Sequence, residues 1–300
     1  MIYDCFLLNE ELDLLELRLN YLNALVDKFV IVESAYTFSG IPKPLHFGNN
    51  TRRFARFLSK INYITDTAEP DLTSAWVNEY HQRNLIKTGL KSANHDDLII
   101  ISDLDEIPYL NRILDDFQLD IPQRIPMSLS YYFLNGVQPN ETWSLSVITP
   151  FRFIKNVNIG NRDALINDLN IKLNYSGYYG GHFAYLFGND INRYINKIKS
   201  FSHQEYNTNY YLNPNRIKYC INNGIDLYER NMPRYNNATQ AIDEEVLKFV
   251  SLLDLNHLLK SQRSVPAIIR DPKEFFFLIK VGLKTIFHRI NNSIVRRLAR

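Results

Sequence analysis

The chain has 300 residues, 45% hydrophobic and 22% charged, which suits one large globular domain or two small ones, with ample chain for a buried core. Lys and Arg number 34 against 32 Asp and Glu, and so near-neutral a balance argues against a dedicated nucleic-acid binder. Only two cysteines occur, Cys5 and Cys220, too few for a disulfide framework and in keeping with a reducing compartment.

Ile2–Leu8 reads as a first strand, with Cys5 a small buried side chain, and Asn9-Glu10 closes it. Leu12, Leu15, Leu19 and Leu22 then recur at helical spacing. Phe29–Val32 follows as a buried strand ending in Glu33-Ser34, completing a β-α-β unit, the elementary piece of a doubly wound sheet. Its first loop lacks glycine, so it is not the G-x-G-x-x-G dinucleotide fingerprint. An acid closing the second strand can accept hydrogen bonds from ribose hydroxyls, which makes Glu33 a nucleotide candidate beside a plain solvated strand end. Pro42 and Pro44 hold the loop 36–54 extended, and Lys43 within it can reach an anionic ligand. Ile61–Ile64 is a short strand. A helix over Ser74–Leu90 carries Trp76, Glu79, Tyr80, Arg83 and Asn84. Arg83 and Asn84 suit phosphate or ribose, or else an ordinary salt-bridged helical face.

Leu98-Ile99-Ile100-Ile101 has no alternation and reads as a strand buried on both faces, as inside a parallel sheet. It ends abruptly in Ser102-Asp103-Leu104-Asp105-Glu106, and Pro108 resets the backbone. Ligands of open α/β sheets bind beyond the carboxyl ends of strands. A nucleotide diphosphate needs a hard divalent cation, and such a cation needs oxygen ligands. Asp103 and Asp105 are placed to serve both; the plainer alternative is an acidic turn capping the helix that begins near Tyr109. Glu106 stands beside the pair, either supporting it or acting as a base.

A helix near Asn111–Phe117 leads to Met127–Phe133, whose alternation predicts a strand with one face exposed. Many aromatic residues follow, Trp143, Tyr178, Tyr179 and Tyr185 among them, suited to core or to the flat C–H faces of sugars. Ser176–Phe183 reads as a glycine-dense turn ending at His182-Phe183, and His203 lies in Ser202-His203-Gln204-Glu205. Each histidine suits a metal or phosphate contact or a buried hydrogen bond. Helices are expected near Asp190–Ser200 and over Ile242–Leu259. From Phe275 a basic amphipathic helix is expected, with Ile279, Leu283, Ile286, Ile290 and Ile294 on one stripe. Residues 271–300 carry seven cations and two acids, a net +5 that leaves −3 for residues 1–270. Such a helix docks on an anionic membrane surface or packs on protein. One boundary, near Pro266, divides a domain over 1–265 from the tail over 266–300. No apolar stretch is long enough to span a bilayer, and Met1 leads straight into a strand without room for a leader.

Four pieces, taken in order, resemble glycosyltransferase family 17, the β-1,4-mannosyl-glycoprotein β-1,4-N-acetylglucosaminyltransferases and their microbial relatives. They are Asp4–Leu15; Val30–Ser34 with Tyr36–Gly40 and Lys43–Leu45; Arg83-Asn84 ahead of Ile100–Pro108; and Gly181–Tyr185 with Lys197–Glu205. The match spans residues 2–230, and the ordered set is specific where a single member is weak. One departure is that Gly181 stands where the family usually has a tryptophan before the histidine.

The resemblance implies an α/β, GT-A type single nucleotide-sugar-binding domain, with a mostly parallel central sheet flanked by helices. It further implies an inverting transferase with UDP-N-acetylglucosamine as donor and a divalent metal, Mn²⁺ or Mg²⁺. The acceptor is a glycan or lipid-linked glycan of surface polysaccharide or glycoconjugate synthesis. Asp105 is expected to touch the metal, with Asp103 holding its water shell or the donor ribose, and His182 or His203 adding a contact. Asn9, Glu10, Glu33, Arg83 and Asn84 are assigned to the nucleotide. Glu141, Asp163 and Glu205 are candidate bases. The protein is expected to be cytoplasmic, with its tail at the inner membrane face. Alternatives are another nucleotide sugar as donor, or a non-catalytic glycan-binding protein, against which the intact aspartate pair argues.

Overall fold

β1 (Ile2–Leu8) and β2 (Lys28–Ser34) run parallel, Cys5 opposite Val30, and the helix Leu12–Leu22 connects them. β3 (Ile61–Asp66) extends this arrangement beyond β2, and β4 (Leu98–Ile101) adds to the other side of β1, all parallel. The computed structural model describes residues 1–230, 236–237 and 242–260. The expected basic tail and the boundary near Pro266 lie outside them.

The unbroken apolar runs are explained by layers on both faces. Phe6, Leu8, Phe29 and Ile31 pack with the helix Leu12–Leu22 and the helix Glu244–Leu252 on one side. Tyr3, Cys5, Val30, Val32, Ile99 and Ile101 pack with Ile86 and Leu90 on the other. Each fully buried aliphatic side chain contributes about 1.5–3 kcal/mol, so the parallel half is the stable base of the site.

After β4 the chain forms β5 (Glu106–Pro108), β6 (Gln123–Tyr131), β7 (Gly136–Pro150), β8 (Gly180–Ala184) and the two-residue β9 (Asn236–Asn237). The sheet order is β3-β2-β1-β4-β7-β6-β8-β5, with β9 on β7. β7 pairs antiparallel with β4, β6 and β9, and β5 pairs antiparallel with β8. The sheet is therefore mixed, which corrects the expectation of a mostly parallel one. Only the short segment 132–135 joins β6 to β7, and parallel neighbours need a crossover of a dozen residues or more.

Other expectations also shift. Ser128 and Ser130 of β6 are fully buried, so this strand has no exposed face; the Ser128 hydroxyl donates to the Gly180 carbonyl instead of meeting water. Gly180, Gly181 and His182 lie in β8 rather than in a turn. Their glycines serve close packing: a Cβ on Gly180 would stand 2.8 Å from the Ile107 carbonyl oxygen. The expected helix over Ser74–Leu90 is two, Ala75–Asn84 and Ile86–Gly89. The one over Ile242–Leu259 is shorter, Glu244–Leu252. Among the described residues no helix is long and apolar enough to cross a membrane.

Candidate active site

β4 ends at the seam where strand direction reverses, and the turn 102–105 leaves the sheet there. Arg18, fully buried on the first helix, holds that turn from below. Its Nε and Nη2 donate to the two Asp4 carboxylate oxygens at 2.8 and 2.6 Å, and Nη2 also donates to Ser102 Oγ. Its Nη1 donates to the carbonyl oxygens of Asp103, Leu104 and Glu106 at 2.6, 3.0 and 2.9 Å. A planar fork that satisfies a carboxylate and three carbonyls fixes the turn as lysine could not.

Above this base the acids have separate surroundings. Asp103 Oδ1 accepts from Arg83 Nη2 at 3.0 Å, and Oδ2 from Arg162 Nη2 at 2.6 Å. Burial alone would raise the Asp103 carboxyl, but the Arg162 and Arg83 guanidiniums overcome it and hold it well below the usual carboxylate range. Glu106 is fully buried. Its oxygens accept from Arg162 Nη1, the Asp103 backbone N–H, Ser146 Oγ and Trp143 Nε1. With its lone pairs so engaged, Glu106 positions Asp103, Arg162 and Trp143. Asp105 is held more loosely: Oδ2 lies 3.4 Å from Lys197 Nζ, and Oδ1 lies 3.7 Å from His182 Nε2. Burial pushes the Asp105 carboxyl up, and the charges of Lys197 and His182 only partly offset this.

The β5–β8 register sets Glu106 opposite His182, which is how a histidine far along the chain reaches Asp105. The His182 ring packs against Trp143, centroids 4.4 Å apart, and its buried Nδ1 has no hydrogen-bond partner. Around these groups opens a cleft of about 480 Å³, within the range of small-molecule sites. Leu7, Leu8, Asn9, Tyr36, Thr37 and Phe38 line it on the parallel side. Trp143, Tyr131, Tyr185, Tyr228 and Arg230 line it on the antiparallel side.

Of the residues assigned from the sequence, Asn9, Arg83, Asp103, Asp105, Asp163, His182 and His203 share this cleft. Others do not reach its lining. Glu33 is fully buried, accepting from the Phe47 N–H and Tyr63 hydroxyl with Lys43 Nζ 3.7 Å away, so Lys43 stands where Glu33 was expected. Glu10 pairs with Arg193. Asn84 bonds Asn158 and the Ile159 N–H, bracing the chain ahead of Arg162. Glu141 lies on β7, its carbonyl accepting from Tyr178, and Glu205 pairs with His203 Nδ1 at 2.7 Å. His203 itself stands edge-on to Trp76, 4.7 Å between centroids. Arg18, Arg162 and Lys197 were missed as site residues, and Trp143 was read only as core or sugar-facing aromatic. The signal for Arg18 was Asp4, a lone acid in an apolar strand, and that for Lys197 was its place at the head of Lys197–Glu205; Arg162 carries no local pattern.

The donor set fits a divalent cation at Asp105. Arginines engage both Asp103 oxygens, whereas Asp105, with His182 beside it, is held more loosely and would be the direct ligand. Among the described residues no group of three or more His, Cys, Asp or Glu side chains is arranged to hold a metal. Such a site suits a hard cation that takes one or two protein ligands and completes its shell with substrate phosphates and water.

The chain is 32% identical over 115 residues to the β-1,4-mannosyl-glycoprotein 4-β-N-acetylglucosaminyltransferase of Rattus norvegicus, covering 36% of this chain and 21% of that protein. It is 32% identical over 114 residues to the Homo sapiens protein of the same name, covering 35% and 21%. The matched stretch thus spans about a fifth of these relatives' length. The family description "Glycosyltransferase family 17" matches residues 1–258, nearly all of the described chain, and the protein belongs to that family.

Proposed function

We propose that the protein is a GT-A type glycosyltransferase that moves N-acetylglucosamine from UDP-N-acetylglucosamine to a glycan or lipid-linked glycan hydroxyl with inversion, in surface glycoconjugate synthesis. The observation that carries this reading is the arrangement at the end of β4. There a tethered acidic turn opens into a cleft that also holds Lys43, Arg83, Arg162, Lys197 and an aromatic wall. Such a set suits a diphosphate next to a sugar.

In this reading the nucleoside lies over the ends of β1 and β2, where ligands of parallel strands bind. Arg83 and Arg162 fix Asp103, and Asp103 faces the donor ribose or the water shell of the cation. A divalent metal, Mn²⁺ or Mg²⁺, held at Asp105 with His182 beside it, would supply charge neutralisation for the departing diphosphate. Asp163 is the base: of the three candidates it alone lines the cleft, from the first turn of the helix Arg162–Asp168, and it is exposed. It takes the proton from the acceptor hydroxyl as the new bond forms.

Incubation with Mn²⁺, UDP-N-acetylglucosamine and an oligosaccharide acceptor is expected to release UDP with formation of the extended glycan. Asp105→Ala is expected to abolish this, and a rate unchanged in that variant would overturn the assignment of the pair. Asp163→Asn should lower kcat by roughly 10²- to 10⁴-fold, the usual contribution of general base catalysis, with UDP affinity unchanged. A panel of nucleotide sugars then identifies the donor.

A further inference from the structure

We propose that Lys197 is a phosphate-contacting residue of the transfer reaction, its ammonium passing from the Asp105 carboxylate to the donor's diphosphate. The inference rests on the reading that the cleft binds a nucleotide sugar. Lys197 lies on the helix Ile191–Ser200, with its side chain in the cleft wall. Its Nζ is 3.0 Å from Glu11 Oε1 and 3.4 Å from Asp105 Oδ2. It stands 5.3 Å and 5.7 Å from the ring centroids of Tyr185 and Phe187. Two carboxylates and two aromatic faces thus hold the end of a flexible four-carbon stem, and a cation fixed beforehand needs little reorganisation when charge develops beside it.

The two ion pairs differ in a way that suits movement. Glu11 is the closer partner and accepts a second hydrogen bond from the Glu10 N–H, so it is a fixed seat. Asp105 is the longer contact. The ammonium can keep Glu11 and exchange Asp105 for a phosphate oxygen, which releases one oxygen of the carboxylate proposed to hold the cation. During transfer the acceptor oxygen bonds the anomeric carbon and the bond from that carbon to the phosphate oxygen breaks. The electron pair goes to the diphosphate, and the acceptor proton goes to the base carboxylate. Lys197 neutralises the charge gathering on the diphosphate and gives up no proton.

Three measurements test this. Titration calorimetry of UDP in EDTA should show wild type binding roughly 10- to 100-fold more tightly than Lys197→Met, the loss expected for one hydrogen bond to a charged group. Lys197→Arg should recover most of that affinity. Mn²⁺ titration followed by electron paramagnetic resonance without nucleotide should show Lys197→Met binding the ion at least as tightly as wild type, because a competing cation has gone. Removing Lys197 alone strands Glu11, so the double variant Glu11→Gln/Lys197→Met provides a second route to the same readings if the single variant fails to fold. UDP affinity within twofold of wild type in a folded variant would overturn the role of Lys197 alone. Wild type that binds no UDP either in EDTA or with Mn²⁺ would overturn the nucleotide-sugar reading, and this inference with it.

Discussion

Removing the Arg18 guanidinium would strand several partners at once: the buried Asp4 carboxylate, Ser102 Oγ and three carbonyls of the turn that carries the acidic pair. A buried ion pair broken from one side typically costs about 3–5 kcal/mol, because the remaining charge has neither water nor partner. Arg18→Met is therefore expected to lower the unfolding free energy measured in urea by an amount in that range and to weaken UDP binding. Arg18→Lys should recover little, since an ammonium cannot span both Asp4 oxygens and the carbonyls. Wild-type stability in Arg18→Met would remove the case for this tether. Residues at this scale were only partly legible. The pair Asp103 and Asp105 announced itself because carboxylates abruptly end a buried strand. Arg18, however, sits among leucines of an ordinary helix, and although Asp4 is near in the chain, its partners in the turn, from Ser102 to Glu106, lie more than 80 residues away. Arg162 reaches Asp103 from 59 residues downstream. Pairings over such separations leave no local spacing to read.

Elements were legible where burial dictates composition. The bounds expected for β1 and β4 are those found, because consecutive apolar residues need cover on both faces. Strand β8 was not legible, since Gly180-Gly181 has the composition of a turn while serving the close approach of β5 and β6. A second close approach positions the site. Gly160 lies against the helix Ala75–Asn84, where an added Cβ would stand 2.4 Å from the Tyr80 carbonyl oxygen and 2.7 Å from Asn84 Nδ2. The Gly160 carbonyl accepts from Arg83 Nη1 at 2.8 Å, and Arg162 begins the next helix two residues on. Gly160→Ala must push these elements apart. It is expected to cost about 1–3 kcal/mol of stability by urea unfolding, as overpacking does, and to weaken UDP binding because both arginines of Asp103 move together. Unchanged stability would show that the helix and loop can separate freely, leaving the arginine pair without this constraint.

At the scale of the whole molecule, the parallel half and the antiparallel half meet at β4 and β7, and ion pairs cross that seam. Most of the perturbed carboxylates are depressed: Glu11 by Lys197, Asp13 by Arg53, Asp103 by Arg162 and Arg83, and Glu106 by Arg162, each against the upward push of burial. A carboxyl depressed on folding adds stability that is present above its unfolded value, about 4, and is lost as pH falls through its folded value. These groups together predict a fold that weakens steadily below about pH 4. Asp105 has the opposite sign. Raised by burial, its ionised form costs stability at neutral pH, and that cost disappears as pH falls through the raised value towards about 4. The two aspartates of one turn should therefore respond oppositely to neutralisation. Asp103→Asn is expected to lower the urea midpoint at pH 7, with the deficit still present at about pH 4 and shrinking only below it. Asp105→Asn should unfold at no lower urea than wild type at pH 7, with any gain gone by about pH 4, while losing Mn²⁺ and UDP binding. Urea midpoints of the three proteins at pH 7, about pH 4 and about pH 2 decide it. A destabilised Asp105→Asn at pH 7 would mean that its contacts with Lys197 and His182 outweigh the burial of its charge. The expected pattern instead assigns Asp103 to holding the fold together across the seam and makes Asp105 a strained group retained for what it binds.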